Sequence, residues 1–421
     1  MNQSKPESLL SSAGHVLHGW IYSRQELLII LTFCLGLQFL AGAASAATLS
    51  ERTYKRLTTI HELMGENKYA EALRRLDQLL PRVRKHDYEY ATVMQTYGFA
   101  YAAQDQYKKA IKAFKEALKT EALPDQVQQT MRYNLAQLYA AASDWKNAAK
   151  AYEQWLAVAE NPSADSYAFG ATIYAQLKQY SKAIPKIKKA ISLVKKPREN
   201  WYQLLLSMLY QKKKYTESAK VLETMVAYWP SKKQYWQQLS GVYFTLKKNR
   251  RSLAVLELAH KQGFLQKERE LMNLVNMYLL QGIPYKAARI LEAEMNAGRI
   301  ERSGKNLQKL GEAWMRARET DEALKELEAA ARIQKKGVLY LRLAQLHTDK
   351  ENWRRVIDLA NQALSAGGLK NPGDAYMLRG MAQYELKQKK SALASFSKAV
   401  KYKKSKRQAS QWIKHLRTEG A

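Results

Sequence analysis

Small, bulky and polar residues follow one another in a pattern that returns along most of the chain. In its clearest copy, Tyr97-Gly98-Phe99-Ala100-Tyr101 is followed by Tyr107 to Ala110 and then by Phe114 and Ala117. Its apolar positions recur three or four residues apart, which is the spacing of one face of a helix. Each copy therefore predicts two amphipathic helices joined by a short turn.

A single marker position shows how often the pattern returns. The residue at the place of Ala110 has counterparts in ten successive copies, separated by 33 to 38 residues. The ten positions are Ala72, Ala110, Ala148, Ala183, Ser218, Ser252, Ala287, Ala323, Val356 and Ala392. A period of this length is typical of helical repeat proteins, in which neighbouring repeats must stack to bury their apolar faces.

The pattern resembles the tetratricopeptide repeat (TPR). The small residue of the first helix recurs at Gly98, Ala136, Ala171, Gly311, Ala344 and Gly380. The aromatic residue three positions later recurs at Tyr101, Tyr139, Tyr174, Tyr243, Tyr278 and Trp314. The resemblance implies an all-α, right-handed superhelical solenoid of about ten helix-turn-helix repeats over residues 47–403. Residues 404–421 are expected to form a C-terminal capping helix and tail, because Trp412, Ile413 and Leu416 share one helix face.

An uncharged apolar segment, Leu27–Ala47, lies near the N-terminus. Its core, Leu27–Leu40, has the length of the hydrophobic region of a signal peptide, and Ala44-Ser45-Ala46 fits a cleavage site. Residues 1–46 are therefore expected to be a signal peptide that sends the mature chain to the periplasm. About 20 apolar residues can also span a bilayer, so an inner-membrane anchor facing the periplasm stays open as the alternative.

The composition and the motifs of the chain exclude several classes of function. The chain has 69 Lys and Arg against 38 Asp and Glu, a formal net charge of +31, and one cysteine, Cys34. One cysteine excludes an internal disulfide and a CxxC metal site. The sequence contains no HExxH, GxSxG, P-loop or GxGxxG motif, and its histidines stand singly. We therefore expect a protein that is not an enzyme, with no catalytic residues, no cofactor and no metal.

The first candidate surface is a concave wall formed by the first helices of the repeats. The resemblance implies that this wall binds an extended peptide, and mapping the repeat places twelve residues on it. These wall residues are Gln95, Tyr133, Asn134, Gln137, Gln203, Ser207, Tyr210, Gln237, Gln238, Phe244, Asn273 and Asn276. Amides can pair with a peptide backbone, and aromatic rings add apolar contact. The wall is largely uncharged, so the acidic tails bound by some TPR domains are not implied.

The second candidate surface is a basic edge at the turns of the central repeats. It consists of Lys212, Lys213, Lys214, Lys247, Lys248, Arg250 and Arg251. Because the turn recurs once per repeat, these residues are expected to line one edge of the array. Such a charge favours an anionic partner, namely an acidic protein, phospholipid head groups or a cell-wall polymer. Nucleic acid is not expected, since a signal peptide would separate the protein from it.

These features predict a non-catalytic protein–protein interaction scaffold in the bacterial periplasm. The layout of signal segment, repeats and Trp-containing cap also resembles the periplasmic TPR proteins that accompany TonB–ExbB–ExbD energy-transduction systems. That resemblance implies assistance to nutrient uptake. The alternatives are a docking subunit of a cell-wall or polysaccharide export assembly and a basic nucleic-acid-binding repeat protein.

Overall fold

Helices and short turns make up the described part of the chain. The computed structural model describes residues 49–196 and 198–418, and these residues contain no strand. The chain divides into two units, unit 1 ending at Pro230 and unit 2 beginning at Ser231. The predicted signal peptide, residues 1–46, lies outside the described residues. Within each unit the expected all-α arrangement of helix pairs is confirmed.

Unit 1 has five helix pairs in its described part. The first helices of these pairs are α1 (Glu51–Gly65), α3 (Asp87–Ala103), α5 (Asp125–Ala141), α7 (Ala164–Gln176) and α9 (Glu199–Gln211). The second helices are α2 (Tyr69–Val83), α4 (Tyr107–Lys119), α6 (Trp145–Leu156), α8 (Tyr180–Ser192) and α10 (Tyr215–Tyr228).

Unit 2 has five further pairs and a last helix in residues 231–418. Its first helices are α11 (Lys233–Thr245), α13 (Glu268–Leu280), α15 (Gly304–Arg316), α17 (Gly337–Asp349) and α19 (Pro372–Glu385). Its second helices are α12 (Asn249–Lys261), α14 (Pro284–Asn296), α16 (Thr320–Gln334), α18 (Trp353–Ala366) and α20 (Lys389–Ala399), and the last helix is α21 (Lys406–Thr418).

The ten marker residues occupy one structural position. Each is the fourth residue of a second helix, and none is more than 1% exposed. Small side chains at this position let the paired helices approach closely. The same need explains Gly98 in α3, where an added Cβ would lie 2.1 Å from Phe114 of α4.

The turn inside each repeat has one conformation throughout the described pairs. Its central residue has a positive φ, at Asn67, Asp105, Ser143, Lys178 and Lys213 in unit 1 and at Lys247, Gly282, Arg318, Glu351 and Lys387 in unit 2. The next amide donates back across the turn, as from Lys214 to the Leu209 carbonyl over 2.8 Å. This is the Schellman ending of a helix, and it fixes the direction in which the second helix leaves.

Polar contacts join successive repeats at a recurring place. The Tyr174 hydroxyl of α7 donates to Glu153 of α6 over 2.7 Å, and the Tyr278 hydroxyl of α13 donates to Glu257 of α12 over 2.5 Å. In both cases the eleventh residue of a first helix bonds to the ninth residue of the preceding second helix. At these two positions a tyrosine therefore both fills the core and bonds to the preceding repeat.

The last helix covers the end of unit 2. Trp412 of α21 stacks on Phe396 of α20 with ring centroids 5.3 Å apart, and Leu416 is buried beside it. Phe396 is itself fully buried. Apolar side chains at the end of the array are thus shielded from water, as a stacked repeat requires.

Candidate functional site

The predicted wall residues of unit 1 lie on α3, α5 and α9, where packing encloses most of them. Four are buried, namely Gln95, Asn134, Gln137 and Ser207. Three are half-buried, namely Tyr133, Gln203 and Tyr210. Among the described residues, Asn134 Nδ2 and Gln137 Oε1 have no hydrogen-bond partner. A ligand would reach these two atoms only if a neighbouring side chain moved, so the wall of unit 1 is largely closed.

The wall of unit 2 is open. Asn273 and Asn276 of α13 are exposed, and Phe244 of α11 is 53% exposed. Gln237 and Gln238 of α11 are half-buried. Unit 2 thus presents amides and an exposed aromatic ring from two consecutive first helices.

Hydrogen bonds connect the first helices that carry this wall. Gln237 Nε2 of α11 donates to Glu270 Oε1 of α13 over 2.8 Å. Lys309 Nζ of α15 donates to Asn276 Oδ1 of α13 over 2.9 Å. Hydrogen bonds therefore link the wall of unit 2 from α11 across α13 to α15.

Sequence reasoning missed the cations of this wall. The sixth residues of α11, α13, α15 and α17 are Gln238, Asn273, Lys309 and Arg342. Two amides are thus followed by two cations at one repeat position. The signal was present in the sequence, because the markers Ala287 and Ala323 are 36 residues apart and so are Asn273 and Lys309.

The charge of Lys309 is held in an unfavourable place. The side chain is half-buried, and burial lowers the pKa of Lys309. Glu312 opposes this shift in pKa, whereas the positive charges of Lys305 and Arg316 add to it. A bound carboxylate would relieve the repulsion and form a charge-assisted hydrogen bond with the ammonium group.

The residues of the predicted basic edge are all exposed. Lys212, Lys213 and Lys214 lie at the turn between α9 and α10 of unit 1. In unit 2, Lys247 and Lys248 lie at the turn between α11 and α12, and Arg250 and Arg251 follow in the first turn of α12. Lys214 Nζ is 2.8 Å from Glu217, whose pKa is lowered to about 2 by hydrogen bonds from Lys188 and Lys214. In each unit the turn presents a cluster of cations to solvent.

The described residues were found to contain neither a metal-ligand cluster nor a membrane-spanning helix. Residues 49–196 and 198–418 include no group of three His, Cys, Asp or Glu side chains that could bind a metal ion. In the same part of the chain, no helix combines the length and apolarity needed to traverse a bilayer. Cys34 and the segment Leu27–Ala47 lie outside the described residues.

Comparisons with known proteins find one repeat family and several solved structures. Two family models, both described as tetratricopeptide repeat, match residues 98–165 and 373–406. No curated protein matches the chain. A tetratricopeptide repeat protein from Parabacteroides merdae is 15% identical, with a TM-score of 0.37, 68% of this chain covered and 94% of that chain.

Two shorter structures are also similar. MamA from Desulfovibrio magneticus RS-1, from residue 41 to its end, is 19% identical with a TM-score of 0.37, covering 44% of this chain and 99% of that one. YrrB, described as a TPR protein with an unusual peptide-binding site, is 16% identical with a TM-score of 0.34, covering 43% of this chain and 89% of that one.

Proposed function

We propose, from the tetratricopeptide repeats that this chain carries, that it is a non-catalytic scaffold of the bacterial cell envelope. Such repeats support a role in protein–protein interaction. In the proposal the chain is exported to the periplasm, and its first helices hold an extended segment of a partner protein. The signal-like segment Leu27–Ala47 supports export.

The observation that carries this proposal is the open wall of unit 2. Asn273 and Asn276 are exposed on α13, Phe244 is exposed on α11, and Lys309 reaches Asn276 from α15. Amides offer a donor and an acceptor to a peptide backbone, and the aromatic ring offers apolar contact. An extended segment satisfies both because its backbone groups and side chains are all accessible.

The cation of the wall gives the partner segment one specific feature. Lys309 is half-buried beside Lys305, and its pKa is lowered mainly by burial. An acidic side chain or a terminal carboxylate placed there would compensate the charge. We therefore assign the partner an acidic residue next to the part of the segment that lies on Asn273.

Site-specific photo-crosslinking in cells tests the wall. A benzophenone amino acid at Asn273 is expected to capture a discrete envelope protein, whereas the same probe at the exposed Arg289 of α14 should capture none. Adding Lys309→Met is expected to reduce the capture at position 273. Equal capture from both positions, or capture unchanged by Lys309→Met, would contradict binding at this wall.

The periplasmic location of the chain and the envelope system to which its partner belongs can be tested separately. Loss of residues before about Ala47 and release with the soluble periplasm are expected from mass measurement and cell fractionation. An uncleaved chain in the inner membrane would instead indicate an anchored scaffold. If the partner belongs to a TonB-type system, deletion of the gene should slow growth on iron complexes; capture of a polysaccharide synthase would favour the export alternative.

A further inference from the structure

A groove at the N-terminal end of unit 1 is lined by cations. Its cavity volume is about 450 Å³, and it lies between α1 and α2. The lining residues are Lys55, Arg56, Thr59, Ile60, Arg74, Arg75 and Gln78. We call this cavity the end groove. Its floor is apolar, since Ile60 is 1% exposed, while its walls carry four positive side chains.

The next repeat shows what these positions normally hold. Equivalent positions of the first two repeats are 38 residues apart, as are Ala72 and Ala110. Lys55 therefore corresponds to Val93, and Arg75 corresponds to Ala113. Val93 is fully buried and Ala113 is 2% exposed. An end repeat needs a polar outer face for solubility, but that need is met by either sign of charge.

The charges of the end groove are incompletely balanced. Lys55 pairs with Glu51 over 2.6 Å and Arg75 with Glu71 over 2.9 Å, and both pairs are exposed. Arg56 and Arg74 form no ion pair with any described residue. Burial lowers the pKa of Arg56, and the nearby charges of Arg82 and Arg52 lower it further.

We propose that the end groove is a binding site for a phosphate group that carries two negative charges. Arg56 and Arg74 face the groove from opposite helices, and guanidinium groups bind phosphate oxygens through paired hydrogen bonds. Lys55 and Arg75 add charge at the rim, and Thr59 and Gln78 supply neutral donors. A doubly charged anion balances the two arginines that form no ion pair with a described residue.

Two sources could supply this chemistry, and both have soluble forms. One is a soluble diphosphate, for which inorganic pyrophosphate is the probe. The other is a phospholipid head group that ends in a phosphate monoester, which also carries two negative charges, and sn-glycerol 3-phosphate is its probe. The probe that binds more tightly identifies the source of the phosphate group, and the site is supported whichever of the two probes binds more tightly. This site is independent of the wall of unit 2, so failure of the crosslinking experiment would leave it standing.

Calorimetric titration of the full chain in a nonionic detergent tests the proposal. Replacing Arg56→Gln together with Arg74→Gln is expected to weaken pyrophosphate binding about tenfold or more, because the loss of even one charge-assisted contact has an effect of that size. The matched control, Arg250→Gln with Arg251→Gln on the basic edge, removes the same charge and should change the affinity by less than about twofold. A melting curve on each variant reports whether it folds.

Three results would overturn the site. The first is a wild-type chain that gives no binding with either probe. The second is an equal loss of affinity in the groove variant and the control variant, which would assign binding to the overall charge. The third is citrate binding as tightly as pyrophosphate, because a site that ignores the phosphate geometry is not the one proposed.

Discussion

Single side chains determine how closely the two helices of a repeat approach. An alanine Cβ at Gly98 would lie 2.1 Å from the ring of Phe114, which is fully buried. At Gly65, near the end of α1, an added Cβ would meet nothing within 4 Å. The two glycines therefore have different physical roles, although both lie in first helices of unit 1.

Gly98→Ala is expected to destabilise the protein. Alanine favours a helix more than glycine does by about 1 kcal/mol, but moving Phe114 within a packed core costs about 1–3 kcal/mol. We expect a net loss in the free energy of unfolding, measured by urea denaturation, and no loss for Gly65→Ala. Equal stability of the two variants would show that Phe114 has room to turn aside.

His347 is the eleventh residue of α17, a position that tyrosine occupies in α3, α7, α11 and α13. Its side chain is 13% exposed, and Nε2 lies 4.0 Å from Glu328, the ninth residue of α16. Burial lowers the pKa of His347, as do Arg355 and Lys350, while Glu328 opposes the shift in pKa. The tyrosine–carboxylate bond seen at Tyr174 and Tyr278 is thus replaced by a histidine that resists protonation.

This shift makes the protein less stable in acid. The unfolded chain binds a proton near pH 6.5 and the folded chain only at lower pH, so stability falls as the pH drops below about 6.5. His347→Tyr is expected to reduce the loss between pH 7 and 5 by about 1.4 kcal/mol for each unit of pKa difference. The pKa of His61 is also lowered by burial, so the variant should still lose some stability as the pH falls. A variant as acid-sensitive as the wild type would disprove the role of His347.

The two helices of each described repeat are joined by a turn whose central residue has a left-handed backbone conformation. In the ten turns inside the described repeats, Gly282 is the one glycine at this position, and four of the others are lysines: Lys178, Lys213, Lys247 and Lys387. A side chain in this conformation costs about 1–2 kcal/mol. Lysine thus stands at a position where glycine would adopt the backbone conformation with less strain.

Lys213→Gly is therefore expected to raise the free energy of unfolding, by up to about 1 kcal/mol. Lys213 has a φ of 54°, whereas the neighbouring Lys212 has a φ of −85°. Lys212→Gly removes the same charge but should destabilise by about 0.5–1 kcal/mol. Opposite signs in paired urea titrations would confirm a backbone origin; the same sign in both would assign the effect to charge.

The helix pairs could be predicted from the local sequence pattern, but the exposure of the individual wall residues could not. Ala110 and Ala148 are buried as expected because the repeat sets both their spacing and their neighbours. Asn134 and Asn273 each lie fourteen residues before the marker of their repeat, yet Asn134 is 2% exposed and Asn273 is exposed. Their burial depends on which side chains the adjacent repeats supply, and no local pattern encodes that.

At the scale of the whole molecule, charge is the dominant property. The formal net charge is +31, and most of the ion pairs among the described residues lie at the surface, such as Lys68 with Glu66. Exposed pairs of this kind contribute little to stability. The excess cations must therefore repel one another over distances comparable to the screening length, about 10 Å at 0.1 M salt.

Added salt is expected to stabilise the full chain in nonionic detergent. Screening weakens the repulsion of the folded state more than that of the expanded one, so the midpoint of urea denaturation should rise between about 0.02 and 0.2 M NaCl.

Two variants distinguish repulsion between neighbouring cations from the effect of the net charge of the whole chain. Arg56→Gln removes a cation next to Arg52 and Arg82, so it should stabilise the chain at low salt and reduce the salt slope. Lys214→Gln removes the same charge but also removes one of the two hydrogen bonds that Glu217 accepts from lysines, so it should stabilise the chain less than Arg56→Gln does. If both variants stabilised equally, net charge alone would govern stability, and the distribution of cations over the surface would be without effect.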